Sequence, residues 1–472
     1  VADVATEDDA TMYRAGTDMQ MHWNAEARPA VRRGECPTLG KPMPTGDGLL
    51  ARLRTRDGVL TPPQLRALAL AAQEHGNGIV EVTARGSLQI RGVREETIVP
   101  LERSLKEAGI EALPGIAIEV GPLSGLDADE FTDMRPIAED LRAAIADHEP
   151  LLVLAPKLSI TLDGGGRYHL GDVASDIKIA AYRDSGGQIR HLMSVGGDNR
   201  TACRLAILEE RQIVSSIMAL LAFMASRGPS TRGKELDAAM LADLFHPDAS
   251  LVRVELPTQS PAPAGRVATD AKDAVLGLVL PYCQIDSTSL ATLADRLIEI
   301  DAGELRFAPK HGFFVTGLEK EKVEDVATLA TTLGFWLDPK DPRQSIALCV
   351  GARGCASAFY DTHEVADSVL RHAQGLLDGS LTLHLSGCAK GCAHPSRSAL
   401  ALVGTPTGYG LVVNGAASSP PERYLVASEL NSALEGLASL AMPSNETGHT
   451  VCDRLMKLGA RRIAEALLLE KT

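Results

Sequence analysis

Long apolar runs are missing from this sequence. A bilayer span needs about 18 consecutive apolar residues, and the most apolar stretch, 213–225, is broken by Ser215 and Ser216, so a membrane span is excluded. Positive charge is also short. The chain sets 47 Lys and Arg against 61 Asp and Glu, a net charge of −14, which argues against a non-specific grip on a nucleic-acid backbone. The first thirty residues lack a basic start followed by an apolar core and carry Asp3, Glu7, Asp8 and Asp9 instead; they do not read as a secretory signal, and a cytoplasmic protein is expected. Eight cysteines in 472 residues are too few for a disulfide scaffold. What is present is an ordinary globular balance, 45% hydrophobic and 23% charged, which excludes wholesale disorder, collagen-like repeats and coiled coil.

Internal repetition sets the architecture. Residues 48–55 alternate Leu49, Ala51 and Leu53 with more polar neighbours, as in a half-buried strand. Thr61 offers a helix N-cap with Pro62 in the first turn, Leu65, Leu68, Ala69 and Ala72 form one face, and Gly76 ends the helix. Strands at 79–84 and 88–92, a helix reaching Gly109 and a strand at 116–120 complete a β-α-β-β-α-β order, that of a ferredoxin-like plait. The same order is read again from Ala274: a strand to Leu280, a helix over 289–300, strands at 304–307 and 313–317, and a helix ending near Gly334. Gly92 and Gly109 map onto Gly317 and Gly334 at an offset of 225 residues, and LSITLDGG at 158–165 aligns with LTLHLSGC at 381–388 at an offset of 223, which puts Gly165 opposite Cys388. Residues 257–265 read as a linker, and 204–227 as a long helix packed where the halves join. The expected fold class is α+β, with duplicated ferredoxin-like halves related by pseudo-two-fold symmetry. The expected division is an acidic extension (1–35), a first half-domain (36–120), a first cleft domain (121–256), the linker, a second half-domain (266–340), a cysteine-bearing domain (341–442) and a C-terminal helical segment (443–472).

Four of the cysteines crowd together. Cys349 and Cys355 form C-x5-C in LCVGARGC, and Cys388 and Cys392 form C-x3-C in SGCAKGC, with a predicted helix and strand between the pairs. Thiolates from two loops can thus meet around one metal centre. Structural zinc prefers tighter pairs, whereas four soft thiolates padded by Gly351, Gly354, Gly387 and Gly391 suit the corners of a cubane iron-sulfur cluster. Four buried thiols without metal are the plain alternative. The isolated Cys36, Cys203, Cys283 and Cys452 read as buried thiols.

The duplicated plait, the cysteine pairs and TARGSLQIR at 83–91 resemble the sulfite and nitrite reductase superfamily over roughly residues 36–442. That resemblance implies halves of the sulfite/nitrite reductase type and a [4Fe-4S] cluster on Cys349, Cys355, Cys388 and Cys392 beside sirohaem. The chain departs from the reductases where they read C-P-N-G-C-x-R-P: CAKGCAHP places Lys390 for Asn and His394 for Arg. Arg85, and Lys157 in APKLS, keep basic positions of the oxyanion site, but Ser159 replaces a lysine and an arginine-bearing D-V-N-R-N motif is missing from 132–143. A site for a doubly charged anion has lost positive charge. In RGECP at 33–37, PMPTGDGLL at 42–50 and SGCAKGCAHP the chain is similar to the precorrin-3B synthase family. This implies an O2-dependent monooxygenase of cobalamin biosynthesis that hydroxylates precorrin-3A at C20 and closes a lactone with the ring A acetate, using the cluster, a mononuclear non-haem iron and an electron donor.

A substrate rich in carboxylates calls for guanidinium and ammonium groups. The candidate substrate contacts are Arg85, Arg91, Lys157 and Arg232, with Arg32, Arg33, Arg227 and Lys390 as further candidates; each also reads as a solvated surface charge. Arg85 and Arg91 lie six residues apart, an even spacing that aims both at one face of an extended chain. The GGGRYH stretch at 164–169 reads as a loop opposite the cysteine loop whose glycines permit close approach to a flat ligand, or as a surface turn. His394 is a candidate iron ligand or substrate contact and, with Lys390, a candidate catalytic residue. His169 with Asp172 and His246 with Asp248 are other short patterns for such an iron, and His384 reads as core. Two other classes of function stay open: a sirohaem-dependent sulfite or nitrite reductase, and a non-catalytic iron-sulfur carrier or tetrapyrrole-binding module.

Overall fold

Thr61 and Gln64 cap the first long helix reciprocally. The Thr61 hydroxyl accepts from the Gln64 N–H, and the Gln64 amide oxygen accepts from the Thr61 N–H at 2.9 Å, satisfying donors that a helix start leaves open. The computed structural model describes residues 37–148, 152–246, 251, 253–267, 273–394, 396–442 and 449–467; the acidic extension with Arg32 and Arg33, Cys36 and Asp248 lie outside them. The capped helix, Pro62–His75, buries Leu65, Leu68, Ala69 and Ala72. Its counterpart Ser287–Glu299 begins on Asp286, whose carboxylate accepts from the Ser289 N–H at 2.9 Å. The two helices pack on each other, and Leu65, Leu68, Leu290, Leu293 and Leu297 join one core with both plait sheets. Since that core is shared, Leu293→Ala, which leaves a cavity costing about 2–5 kcal/mol, is expected to destabilise both halves together. Calorimetry should record one shifted transition for the paired plaits.

Each plait sheet is completed by a strand from the other half. In the first, Met43–Thr45, Gly48–Leu53, Leu88–Val93 and Ile79–Val82 are followed by Gln284–Asp286. In the second, Gly265–Val267, Ala274–Val279, Gly312–Leu318 and Leu305–Ala308 are followed by Val59–Leu60. This corrects the expected closure of the first plait. The strand at 116–120 is present as Ala117–Val120, but it pairs in parallel with Ser159–Asp163 in a separate sheet. An apolar period marks a strand without saying which open edge it satisfies.

Two outer sheets share one order. The first runs Ala117–Val120, Ser159–Asp163, Ser175–Arg183, Ile189–Gly197, Cys203–Leu208; the second runs Ile346–Leu348, Leu383–Ser386, Ser398–Thr405, Gly408–Gly415, Arg423–Leu425. In both, the first three strands are parallel and the last two antiparallel. The long helix expected at 204–227 is divided: 203–208 is an edge strand with Leu205 and Leu208 buried, and the helix is Ile213–Arg227. It packs with Arg135–His148 on the first outer sheet, not at the join of the halves. Residues 257–264 run as a strap without helix or strand, held by Asn199 donating to the Pro257 carbonyl (2.7 Å), by His169 at the Gln259 carbonyl (3.0 Å) and by the Lys310 ammonium at the Ser260 carbonyl. Among the described residues no helix is long and apolar enough to cross a membrane.

Candidate functional site

The four sheets surround a cleft of about 3740 Å³ that both halves line. Among its described lining residues twelve are Lys or Arg and eight are Asp or Glu, on a chain whose net charge is −14. Positive charge is therefore concentrated where a ligand would sit. Such a surface draws anions in and pairs with their carboxylates.

Cys349, Cys355, Cys388 and Cys392 all line this cleft, although sequence separates the pairs. Cys349 follows the Ile346–Leu348 strand and Cys388 follows Leu383–Ser386; those strands are parallel neighbours, so their ends deliver the two loops to one place. The Gly387 N–H donates to the Cys349 sulfur at 3.2 Å, Thr362 donates to the Cys349 carbonyl at 2.5 Å, and Ser386 donates to the Cys388 carbonyl at 2.7 Å. Burial pushes the Cys349 thiol up, and a thiolate there would need a metal centre beside the N–H aimed at it to be stabilised. No three His, Cys, Asp or Glu side chains among the described residues converge on a point that could hold a single ion. A cubane spaces its thiolates around a cluster instead, and the four cysteines fit that group.

A hairpin of the first half sits on the cysteine loop. A Cβ on Gly46 would lie 2.0 Å from the Ala356 nitrogen and 2.3 Å from the Cys355 Cα, so the tip of PMPTGDGLL presses backbone on backbone. Asp47, next in the chain, receives the Arg91 guanidinium at 2.8 and 2.7 Å, and Glu81 takes its remaining edge at 3.1 Å. Burial works against the Arg91 charge, but the two carboxylates outweigh it and hold its pKa up. Arg91 thus lines the cleft while clamping the hairpin that covers Cys355.

Arg85 lies on the turn between Ile79–Val82 and Leu88–Val93, not within a strand, so the even-spacing argument does not reach it. It lines the cleft, with its Nε on Glu119 at 2.9 Å and further bonds to Glu119 and to the Ala174 carbonyl. Arg232 lines the same wall and holds Asp176 with two bonds of 2.8 Å; Lys157 lines it too. Lys390, exposed at the cleft, donates to Ser357 at 3.0 Å and so ties the two cysteine loops together. Arg227 is not among the lining residues; its guanidinium lies 5.8 Å from the centre of the Phe223 ring. Lys310 was not anticipated, yet the 225-residue offset places it opposite Arg85. Its backbone N–H donates to the Ala84 carbonyl at 3.1 Å, its ammonium meets Asp172 at 2.9 Å, and it lines the cleft.

The glycine loop at 164–169 does not face the cleft lining. Phe131 donates to the Gly164 carbonyl at 2.8 Å, Asp127 accepts from the Arg167 N–H at 2.7 Å, and a Cβ on Gly164 would lie 2.0 Å from the Thr132 carbonyl oxygen. Its glycines serve close packing against 127–132 in place of a ligand. In that packing segment burial pushes the Glu130 carboxyl up from 4.5 to about 7 against hydrogen bonds from Gly125 and Ser124. A carboxyl raised on folding favours the folded state most fully below its unfolded pKa, and that contribution fades as pH rises through about 7. Melting curves on either side of neutrality should therefore show a loss at the alkaline side that Glu130→Gln reduces.

The histidine patterns separate. His169 is buried, with Nε2 on the Gln259 carbonyl and Nδ1 accepting from the Gly171 N–H at 2.9 Å, so both nitrogens have backbone partners; Asp172 faces Lys310. His246 is exposed. His394 lines the cleft beside Cys392, with Nε2 3.3 Å from the Arg397 carbonyl. His384 is fully buried, neither ring nitrogen has a hydrogen-bond partner, and burial holds its pKa down to about 4.

Known proteins agree with this architecture. Residues 41–108 match the family described as nitrite/sulfite reductase ferredoxin-like half domain. A precorrin-3B synthase from Sinorhizobium sp is 43% identical over 437 residues, covering 93% of this chain and 95% of that protein. A ferredoxin–nitrite reductase from Leptolyngbya laminosa is 25% identical over 400 residues, covering 77% of this chain and 78% of its own. The solved structure of the Mycobacterium tuberculosis NirA protein superposes with a TM-score of 0.67 at 15% identity, covering 88% of this chain and 84% of that one, which extends the likeness of fold across both halves. With nearly the whole length matched at 43% identity, the chain belongs to the precorrin-3B synthase family, within the sulfite and nitrite reductase superfamily.

Proposed function

We propose that the protein is an oxygen-dependent monooxygenase that converts precorrin-3A to precorrin-3B, hydroxylating C20 and closing a lactone with the ring A acetate. The observation that carries this reading is the cleft: large, shared by both halves, richer in Lys and Arg than in Asp and Glu, and walled at one end by four cysteines. A fold that holds a tetrapyrrole as cofactor can hold one as substrate, and family membership favours the second use over a sirohaem reductase.

Cys349, Cys355, Cys388 and Cys392 would hold a [4Fe-4S] cluster, and His394 would contribute to a mononuclear iron. When bound, these groups supply single electrons and a place for O2. The chain's own part is binding and orientation. Arg85, Lys157, Arg232 and Lys310 present cationic groups along the cleft to the acetates and propionates of the macrocycle, and charge-assisted pairs of this kind fix both position and register. Glu119 keeps the Arg85 guanidinium in place from behind. Arg91, already saturated by Asp47 and Glu81, holds the hairpin over Cys355 and so positions the cluster wall. The ring A acetate belongs to the same macrocycle as C20, so lactone closure is intramolecular, and a protein that holds the acetate in place would favour it through orientation.

Arg85→Ala removes a charge-assisted bond and also leaves the Glu119 carboxylate facing the substrate. Precorrin-3A binding is expected to weaken by about 10- to 100-fold, measured by fluorescence quenching, with the iron-sulfur absorption unchanged. Function itself is tested by incubation with precorrin-3A and an electron source under 18O2. One labelled oxygen should enter the C20 hydroxyl while the lactone oxygens come from the acetate; product formed without O2 would refute the reading.

A further inference from the structure

Two hairpin turns, one from each half, meet at the cleft and are filled differently. The turn between Ile79–Val82 and Leu88–Val93 carries Arg85 and Gly86; 225 residues on, the turn between Leu305–Ala308 and Gly312–Leu318 carries Lys310 and His311. The turns touch. The Lys310 N–H donates to the Ala84 carbonyl at 3.1 Å, and a Cβ on Gly86 would lie 2.9 Å from the Ala308 carbonyl carbon. The first turn therefore has no room for a side chain at Gly86, whose φ of +83° suits glycine. In the second turn Lys310 and His311 hold φ of +66° and +64°, a left-handed region that side chains enter at a cost. An imidazole stands at a strained position where its twin has glycine.

His311 lines the cleft. Its Nδ1 lies 2.7 Å from the Val82 carbonyl oxygen. A carbonyl only accepts, so Nδ1 carries a proton. Burial holds the imidazole's pKa below its usual value against that bond, which leaves Nε2 with a bare lone pair. Among the described residues Nε2 has no hydrogen-bond partner, and it is not sealed from solvent. The cationic groups of the cleft suit carboxylates, but this acceptor does not, because a carboxylate has no hydrogen to give. On a polycarboxylate tetrapyrrole without a metal, the donors are the N–H groups of the macrocycle.

We infer that His311 is a specificity-determining contact: its Nε2 accepts a hydrogen bond from a ring N–H of the bound tetrapyrrole, so that the cleft takes a metal-free macrocycle in preference to a metal-filled one. The ligand class rests on the proposed function. The test is equilibrium dialysis of the full chain carrying its cluster against two probes: uroporphyrin III, a metal-free tetrapyrrole bearing acetates and propionates, and its copper(II) form, whose ring nitrogens carry no hydrogen. The parent should bind the metal-free probe about 3- to 10-fold more tightly, the worth of one hydrogen bond. His311→Asn tolerates the positive φ and has an amide N–H for the Val82 carbonyl, but it is too short to reach the Nε2 position. It should bind both probes equally, through a loss of affinity for the metal-free one alone. His311→Gly, with the twin's own residue, should do the same, and iron and acid-labile sulfide should be unchanged in both variants. A parent without the preference, variants that keep it, or variants that weaken both probes alike would overturn the inference. A parent that shows the preference and loses it in the variants, yet makes no product from precorrin-3A and O2, would count against the proposed function alone.

Discussion

Cys388→Ser is expected to empty the cysteine wall of iron and acid-labile sulfide and to remove the brown absorption of the purified protein. A hydroxyl is a hard, poor ligand for a site built from soft thiolates, and Cys388 lies on one of the two loops that parallel strands deliver to the cleft. The loss should extend beyond colour. Without the proposed cluster, the loops after Ile346–Leu348 and Leu383–Ser386 keep protein bonds such as Gly387 to Cys349 and Lys390 to Ser357 but lose their strongest link, and calorimetry should record a lower melting temperature for the second half. Cys452→Ser, on the Val451–Leu458 helix and outside the cleft lining, should leave iron, sulfide and colour as in the parent. Four irons and four sulfides in Cys388→Ser would refute the cluster assignment.

The other large effect is expected from a single methyl group far from the cysteines in sequence. Gly46→Ala puts a Cβ 2.0 Å from the Ala356 nitrogen, a clash with backbone that no rotamer relieves, so either the hairpin or the Cys355 loop must move. Overpacking of this kind typically costs about 1–3 kcal/mol, and here the displaced loop carries Cys355, one of the proposed cluster ligands. Cluster content after anaerobic reconstitution should fall severalfold, together with the salt-linked hold of Arg91 on Asp47 that anchors the hairpin. Gly375→Ala, where an added Cβ meets nothing within 4 Å, is the matched control and should reconstitute normally. Equal cluster content in the two variants would show that the hairpin does not buttress the loop.

Much of this was legible in the chain because the signals are local. The Thr61 cap, the apolar stripe from Leu65 to Ala72 and the Gly76 stop frame the fourteen residues of the first helix from local sequence, and the repeat at 225 residues carries the reading to the second half. The pattern failed at 204–208, where Leu205 and Leu208 fit an edge strand as well as a helix turn. It failed again at the glycine loop: Gly164 needs close packing, but what it packs against, the Thr132 carbonyl, lies elsewhere in the chain.

The sequence alone determined the duplicated plaits, the two cysteine pairs and the family to which they point, since caps, periods and ligand spacings depend on residues close together in the chain. Tertiary structure decided everything that depends on which distant groups meet. It chose Gln284–Asp286 and Val59–Leu60 to close the opposite sheets, because an edge strand's unpaired N–H and C=O groups are satisfied by whichever strand folding brings alongside. It turned Arg91 from a free cation into the clamp on Asp47 and set Lys310 at the cleft opposite Arg85. It also buried His384 without a partner and laid His394 against it. A side chain's charge and hydrogen-bonding capacity are written in its identity, but whether they are spent inside the protein or left for a ligand depends on neighbours that only the folded chain supplies.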